Sequence, residues 1–122
     1  MVASALSLLL LAGPGMVAFD GDVQKRIHLG IAELNSKAPF DDGGAVLLHA
    51  WATRDGFAIR YRVTADASMR AVVGRFRQRF CTEQPLSGLI RQSHVAVTAF
   101  FTRGRARPFA LRVDAAACAA AQ

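Results

Sequence analysis

The three histidines are the side chains best suited to bind a metal or to act as a general base. They lie at positions 28, 49 and 94, and no two of them have the spacing of metal ligands along one helix or strand. His28 lies off the apolar face of a predicted helix, His49 stands in a strand flanked by apolar residues, and His94 opens a strand. We therefore interpret them as separate structural or surface residues, and we predict no metal site.

Nucleophilic catalysis would need a serine or cysteine held beside a base. The serines that follow the N-terminal segment are Ser36, Ser68, Ser87 and Ser93. Ser68 is explained more simply as a helix cap, and the adjacent carboxylates Asp41 and Asp42 belong to a turn. The sequence therefore predicts a protein that is not an enzyme and that has no cofactor. A small cofactor-free enzyme with an unpaired Cys81 as nucleophile is an alternative.

The chain has two cysteines, Cys81 and Cys118, which are separated by 37 positions. This spacing excludes a CxxC redox motif and matches no zinc-binding pattern. In an oxidising compartment a small even number of cysteines favours a disulfide, and the one intramolecular pairing is Cys81–Cys118. Two unrelated buried thiols are the alternative reading.

An uncharged apolar segment opens the chain. Residues 5–12 form an apolar run, Gly13-Pro14-Gly15 interrupts it, and small residues follow as far as Ala18. This layout is typical of a secretory signal peptide, and the run is shorter than the ~20 apolar residues that span a membrane. We predict a signal peptide at residues 1–18, one domain at residues 19–122 without a membrane span, and a periplasmic or secreted location. An uncleaved anchor and a buried helix of the mature domain are the alternatives.

Arginine dominates the charged residues. Lys and Arg number 15 against 9 Asp and Glu, which gives a net charge of +6, and 13 of the 15 are Arg. Two groups are candidate contacts for an anionic partner: Arg60 and Arg62 on the wet face of a strand, and Arg103, Arg105 and Arg107 in a loop. An acidic protein or an envelope component is the expected partner. Nucleic acid is disfavoured by the signal segment and by the lack of an aromatic stacking platform in the sequence.

Composition and periodicity predict a single α+β domain. A hydrophobic fraction of 52% with 20% charged residues excludes a disordered chain. The first predicted elements are a helix at Asp22–Lys37 and strands at 45–53 and 57–64. A second helix follows, capped by Asp66 or Ser68, with an apolar stripe as far as Phe80 and a limit at Pro85. A short turn at 86–90 and strands at 94–102 and 108–115 complete the prediction. This helix-hairpin-helix-hairpin order (αββαββ) predicts a four-stranded antiparallel sheet with two helices on one face.

Several short passages of the chain resemble a known family. They are Leu34-Asn35-Ser36-Lys37-Ala38-Pro39-Phe40-Asp41-Asp42, then Arg60-Tyr61-Arg62-Val63, Phe80-Cys81, Pro85, a two-stranded return over Val95–Val113, and Cys118. Together they resemble small exported bacterial proteins of the quorum-sensing-regulated virulence factor type, over residues 20–118. The family label describes regulation, so the resemblance implies export but no chemistry and no site residues.

These observations predict a small exported protein, stabilised by one disulfide, that is not an enzyme and acts by contact with a protein or envelope partner. A basic module that binds an anion or a nucleic acid is the first alternative. The small cofactor-free enzyme is the second.

Overall fold

A computed structural model describes residues 19–120, so the predicted signal peptide at residues 1–18 lies outside the described residues. The described chain is a mixed α+β domain, as the sequence predicts. Its elements are α1 (Gly21–Lys37), β1 (Phe40–Asp41), β2 (Ala45–Thr53), β3 (Gly56–Val63), α2 (Met69–Thr82), α3 (Leu86–Ser93), β4 (Ala96–Thr102), β5 (Phe109–Val113) and α4 (Ala115–Ala120).

The sheet contains five strands in the order β1-β2-β3-β4-β5, so the predicted count of four strands is wrong. The additional strand is β1, in which Phe40 pairs with Leu47 and Asp41 pairs with Val46. A strand of two residues is too short to show an alternating pattern, which is why the sequence reads this segment only as part of a turn.

The prediction of a wholly antiparallel sheet is also wrong. The hairpins β2–β3 and β4–β5 are antiparallel as predicted, but β3 pairs with β4 in parallel, from Gly56 opposite Ala96 to Arg62 opposite Thr102. A parallel pair needs a crossover connection, and α2 with α3 supplies it. The periodicity of a helix does not show at which end of the sheet the chain enters the next strand. It therefore cannot predict whether β4 runs parallel or antiparallel to β3.

Gly56 permits the close approach of β3 to β4. A Cβ atom built at Gly56 would lie 2.0 Å from the backbone oxygen of Ala96. The amide of Ala96 also donates a hydrogen bond of 2.8 Å to the backbone oxygen of Asp55. The Asp-Gly pair therefore serves two purposes, since it forms the β2–β3 turn and seats the start of β4.

The two long helices begin at side-chain caps. Asp20 Oδ1 accepts a hydrogen bond of 2.9 Å from the amide of Val23, and Ser68 Oγ accepts one of 3.2 Å from the amide of Ala71. α1 ends at Lys37, two residues before Pro39, because proline disfavours helical geometry at the residue before it.

All four described helices lie on one face of the sheet, where they share a single apolar core with the strands. The predicted placement of two helices on one face is thus extended by α3 and by α4. The largest fully buried side chains of the core are Phe76, Phe101, Ile59, Ile90, Val72, Val95, Val97, Val113 and Cys118. The other face of the sheet carries no helix among residues 19–120.

Two segments differ from their predicted form. The short turn predicted at 86–90 is the helix α3, and His94 ends it with a left-handed φ of 57°, so that β4 begins only at Ala96. The chain after Val113 is helical as well. Asp114 caps α4 by accepting a hydrogen bond of 2.8 Å from the amide of Ala117.

Cys81 and Cys118 form the predicted disulfide, with a Cα–Cα distance of 5.4 Å. Cys81 lies in the last turn of α2 and Cys118 in α4, and both are buried in the core. The bridge therefore fastens the short C-terminal helix to the main crossover helix.

We expect Gly56→Ala to lower the free energy of unfolding by at least about 2 kcal/mol, because the new methyl group meets backbone that cannot move aside. Gly74→Ala in α2 is the matched control, since nothing lies within 4 Å of its Cβ position. The control should be neutral or stabilising by up to about 1 kcal/mol. Urea unfolding of both variants measures the difference, and equal stabilities would contradict the close approach of β3 to β4.

Replacing both cysteines by alanine should lower the free energy of unfolding by roughly 3–4 kcal/mol, the loop-closure value for a bridge of this span. We expect α4 to lose hydrogen-exchange protection before α2 does, because α4 is short and the bridge is its covalent attachment to the crossover. Thiol titration of the unreduced protein in denaturant is the direct check. Two reactive thiols would contradict the bridge.

Candidate partner-binding groove

A groove of about 430 Å³ opens on the helical side of the sheet. α1 forms one wall, and α2 with α3 forms the other. Phe57 and Ile59 of β3 lie at its base. The apolar side chains of the walls are Ile27, Leu29, Leu34, Phe80, Leu86 and Leu89. The groove thus exposes apolar surface continuous with the core.

The α1 wall leaves the groove accessible. Leu29 is 60% exposed, the largest value among the exposed large apolar side chains of the described residues. A Cβ atom at Gly30 would meet nothing within 4 Å, so the wall is low at this point. An apolar side chain of this size, left in water beside an apolar groove, favours contact with another molecule.

Charged side chains of both signs line the rim on the α1 side. Lys37 lies 3.4 Å from Glu33, and Arg26 lies 3.8 Å from Asp22, each pair one helical turn apart. These pairs are well exposed and contribute little to stability. They leave the rim without a dominant charge, so the groove does not select a partner by net charge.

Arg79 organises the rim on the α2 side. Its guanidinium donates to Asp42 Oδ2 at 2.8 Å and to Glu83 Oε2 at 3.2 Å, and it stands 5.1 Å from the centre of the Phe76 ring. Burial works against the charge of Arg79, but the hydrogen bond and the charge of Asp42 outweigh burial and raise the pKa of Arg79. Asp42, which the sequence assigns only to a turn, therefore anchors α2 to the β1–β2 connection.

Arg103 lies in the predicted loop but is less exposed than Arg105 and Arg107. Its side chain is half-buried, and its guanidinium donates to the backbone oxygens of Thr64 and Ala67. Arg103 therefore joins the end of β4 to the connection between β3 and α2, and its Nη2 is held by these two contacts. Arg105 and Arg107 of the same loop are exposed as predicted.

Arg60 and Arg62 lie on the face of the sheet opposite the groove, which we call the open face. Both are exposed, and on this face Arg60 stands opposite His49 in β2 and Phe100 in β4. The structure therefore separates the five candidate arginines into three on the loop, of which Arg103 is half-buried, and two on the open face.

The open face also carries a row of aromatic rings that the sequence does not reveal. The ring centres of His49 and Trp51 are 5.6 Å apart, and those of Trp51 and Phe100 are 5.9 Å apart, with interplanar angles of 16° and 9°. These rings stack on one another, so the expectation that the chain lacks an aromatic platform for stacking nucleobases stays a prediction. Phe100 comes from β4, so its contact with Trp51 across the small Ala58 depends on the parallel pairing.

The other titratable candidates do not form a metal-binding group in the part of the chain that the structure describes. Among residues 19–120 no group of three or more His, Cys, Asp or Glu side chains is arranged to hold a metal ion. His28 is exposed on α1, and His94 ends α3. Within the same residues no helix is long and apolar enough to cross a membrane.

The groove residues were missed by reasoning from the sequence because each belongs to an element whose apolar face is explained by the core. Leu29 is the exception. It lies off the apolar face of α1, which the sequence places at Val23, Ile27, Gly30, Ile31, Leu34 and Ala38. The sequence signal that could have indicated the groove is Leu29 itself, a large aliphatic residue on the polar side of an amphipathic helix.

No family model matches the chain, and no curated protein matches it in sequence. The fold, however, is similar to solved structures. The pilotin of the Vibrio vulnificus type 2 secretion system superposes with a TM-score of 0.66 at 12% identity, over 81% of this chain and 97% of that one. The type II secretion system pilotin of Vibrio cholerae gives a TM-score of 0.68 at 14% identity, over 80% and 93%.

A third similar structure is a candidate secreted protein of Pseudomonas aeruginosa, with a TM-score of 0.65 at 17% identity, over 85% of this chain and 99% of that one. At these identities the likeness establishes a shared fold. The resemblance to the quorum-sensing-regulated family is not tested by these structures and stays a prediction.

We expect Arg103→Ser to lower the free energy of unfolding by about 1–3 kcal/mol, because it leaves two backbone oxygens without their donor. The double variant Arg105→Ser/Arg107→Ser is the matched control in the same loop, and it should change stability by less than about 0.5 kcal/mol. Thermal unfolding of the two proteins checks this. If Arg103→Ser leaves the stability unchanged, the two hydrogen bonds of Arg103 do not contribute to the fold.

Proposed function

We propose that this protein is an exported, disulfide-stabilised binding protein, without enzymatic activity, that holds an apolar segment of a protein partner in the groove between α1 and the α2–α3 crossover. The groove with the exposed Leu29 is the observation that carries this proposal. Two of the similar folds are named as pilotins of type 2 secretion systems and a third as a candidate secreted protein, which supports an envelope or secreted location.

The chemistry of the walls favours a helical segment as the occupant. α1, α2 and α3 use their backbone amides and carbonyls within their own turns, so the groove walls offer few backbone groups to a ligand. An extended peptide would bury amides and carbonyls there without partners, at a cost of about 1–3 kcal/mol for each group. A helix satisfies its own backbone and can present apolar side chains at positions i, i+3, i+4 and i+7.

The mixed rim charges are compatible with such a segment. A helix with an apolar stripe carries polar residues along both sides of that stripe. Lys37 and Glu33 on one rim, and Arg79 and Glu83 on the other, can pair with side chains of either sign. Specificity would then come from the fit of apolar side chains at the base of the groove, near Phe57 and Ile59.

The alternative of a small cofactor-free enzyme loses its nucleophile, because Cys81 is bound to Cys118. The alternative of a basic module that binds an anion is supported by the open face, on which Arg60 and Arg62 are exposed.

The test places a photo-crosslinking residue at position 29 of the exported chain and at position 70 on the outer side of α2 as a control. After irradiation in the native envelope, the segment attached to position 29 is identified and synthesised. We expect this segment to have an apolar stripe at helical spacing and to become helical when it binds the purified protein. A crosslink to lipid alone, or equal capture at both positions, would contradict the proposal.

Leu29→Glu should weaken binding of that peptide by at least about 30-fold, because it places a charge against the apolar wall, an effect of ~2 kcal/mol. Phe109→Glu is the matched control, since Phe109 is an exposed apolar residue away from the groove, at 46%. Isothermal titration measures both affinities. Equal losses would show that the groove is not the binding site.

A further inference from the structure

The open face lacks the features that recognise a single extended chain. Its central strands β2, β3 and β4 each pair on both sides over part or all of their length, so their backbones are largely satisfied. At the outer edge of β2, the side-chain amide of Asn35 pairs with both the amide and the carbonyl of Ala50, at 2.8 and 2.9 Å. A peptide could therefore not add itself to this part of the sheet by backbone hydrogen bonds.

Positive charge is spread over this face without acidic neighbours at its centre. Arg60 and Arg62 are two residues apart on β3, which places their stems ~7 Å apart along the strand. Neither has an ion-pair partner among residues 19–120. Arg62 pairs in register with Thr102 at the end of β4, and the exposed Arg105 and Arg107 lie in the loop that follows this strand.

The acidic groups lie at the corners of the face. Asp55 accepts a hydrogen bond of 2.6 Å from Arg112, and Asp41, on the edge strand β1, is separated from Arg62 by Val46 of β2. Burial works against ionisation of Asp55, but the bond and the charge of Arg112 outweigh it and lower the pKa of Asp55. Arg112 is therefore already neutralised, and Arg60 and Arg62 remain as the free cations of the centre.

The aromatic row decides which anion fits. Because His49, Trp51 and Phe100 stack on one another at small interplanar angles, their faces are turned toward each other. Nucleobases and sugar rings bind by stacking on free aromatic faces, so this row is poorly suited to them. The guanidinium of Arg60 lies over the Trp51 ring, 5.8 Å from its centre, so the positive charge of this face adjoins the aromatic row.

We propose that the open face is a lipid-facing surface that binds the phosphate headgroups of an anionic phospholipid bilayer. A strand face with spread guanidinium groups and the amphipathic side chains of His49 and Trp51 matches a surface of many equivalent phosphates, and it matches a single linear ligand less well. The groove lies on the opposite side of the sheet, so a protein partner and a bilayer could be bound at the same time. This proposal stands independently of the proposed function.

The experiment uses the exported full chain with vesicles of phosphatidylcholine alone and of phosphatidylcholine with phosphatidylglycerol. We expect sedimentation with the anionic vesicles only. Arg60→Ser/Arg62→Ser should reduce the partition coefficient by about 30-fold, from ~1 kcal/mol for each arginine. Arg70→Ser/Arg77→Ser is the matched control, with the same loss of charge on exposed positions of α2, and it should keep most of the binding.

A second readout needs no variant, because Trp51 is the single tryptophan of the chain. A nitroxide attached to the lipid headgroup should quench Trp51 fluorescence when the open face lies on the bilayer. Leu29→Glu should leave this quenching unchanged, which separates the result from that of the groove.

Each other outcome overturns the proposal. Failure to bind anionic vesicles would do so, as would binding without quenching of Trp51. If both double-arginine variants lose the same amount of vesicle binding, the binding depends on net charge and not on the open face. A single-stranded oligonucleotide or an acidic peptide that binds through Arg60 and Arg62 while vesicles do not would assign the face to that class of ligand instead.

Discussion

The parallel pairing of β3 with β4 is the interaction on which the rest of the structure depends. It requires Gly56, because the backbone oxygen of Ala96 occupies the space of a side chain there. It also requires a crossover, and the crossover must lie on one face of the sheet. α2 and α3 fill this role, and the disulfide then fixes α4 to the end of α2. The close fit at Gly56 is thus one condition of the parallel pairing that the crossover helices connect.

Placing every described helix on one face gives the molecule two unlike surfaces. On the helical side, α1 and the crossover stand apart and leave an apolar groove with β3 at its base. On the other side, the sheet itself meets the solvent with arginines and stacked rings. The two proposals follow from this asymmetry, because each surface has its own chemistry and neither blocks access to the other.

Much of the local structure could be predicted, and little of the site could. The helical spacing of Val72, Phe76 and Phe80 and the alternation of Phe57, Ile59 and Tyr61 identify α2 and β3, because each pattern is repeated within one element. The contacts of Arg103 could not be predicted, because a loop arginine has the same sequence pattern whether it faces water or donates to a backbone oxygen 36 residues away. The stack of Trp51 on Phe100 was invisible for a similar reason, as its two strands are neighbours of β3 and not of each other.

The sequence by itself determined the class of fold, the extents of the main helices and strands, and the one disulfide that two cysteines allow. These depend on periodicity, capping residues and counting, which are properties of a segment or of the composition. Only the tertiary structure decided that β3 and β4 run in parallel, which arginines are free, and where apolar surface stays uncovered. Those features depend on which distant segments meet, and the free energies that select one pairing over another come from packing across the whole core.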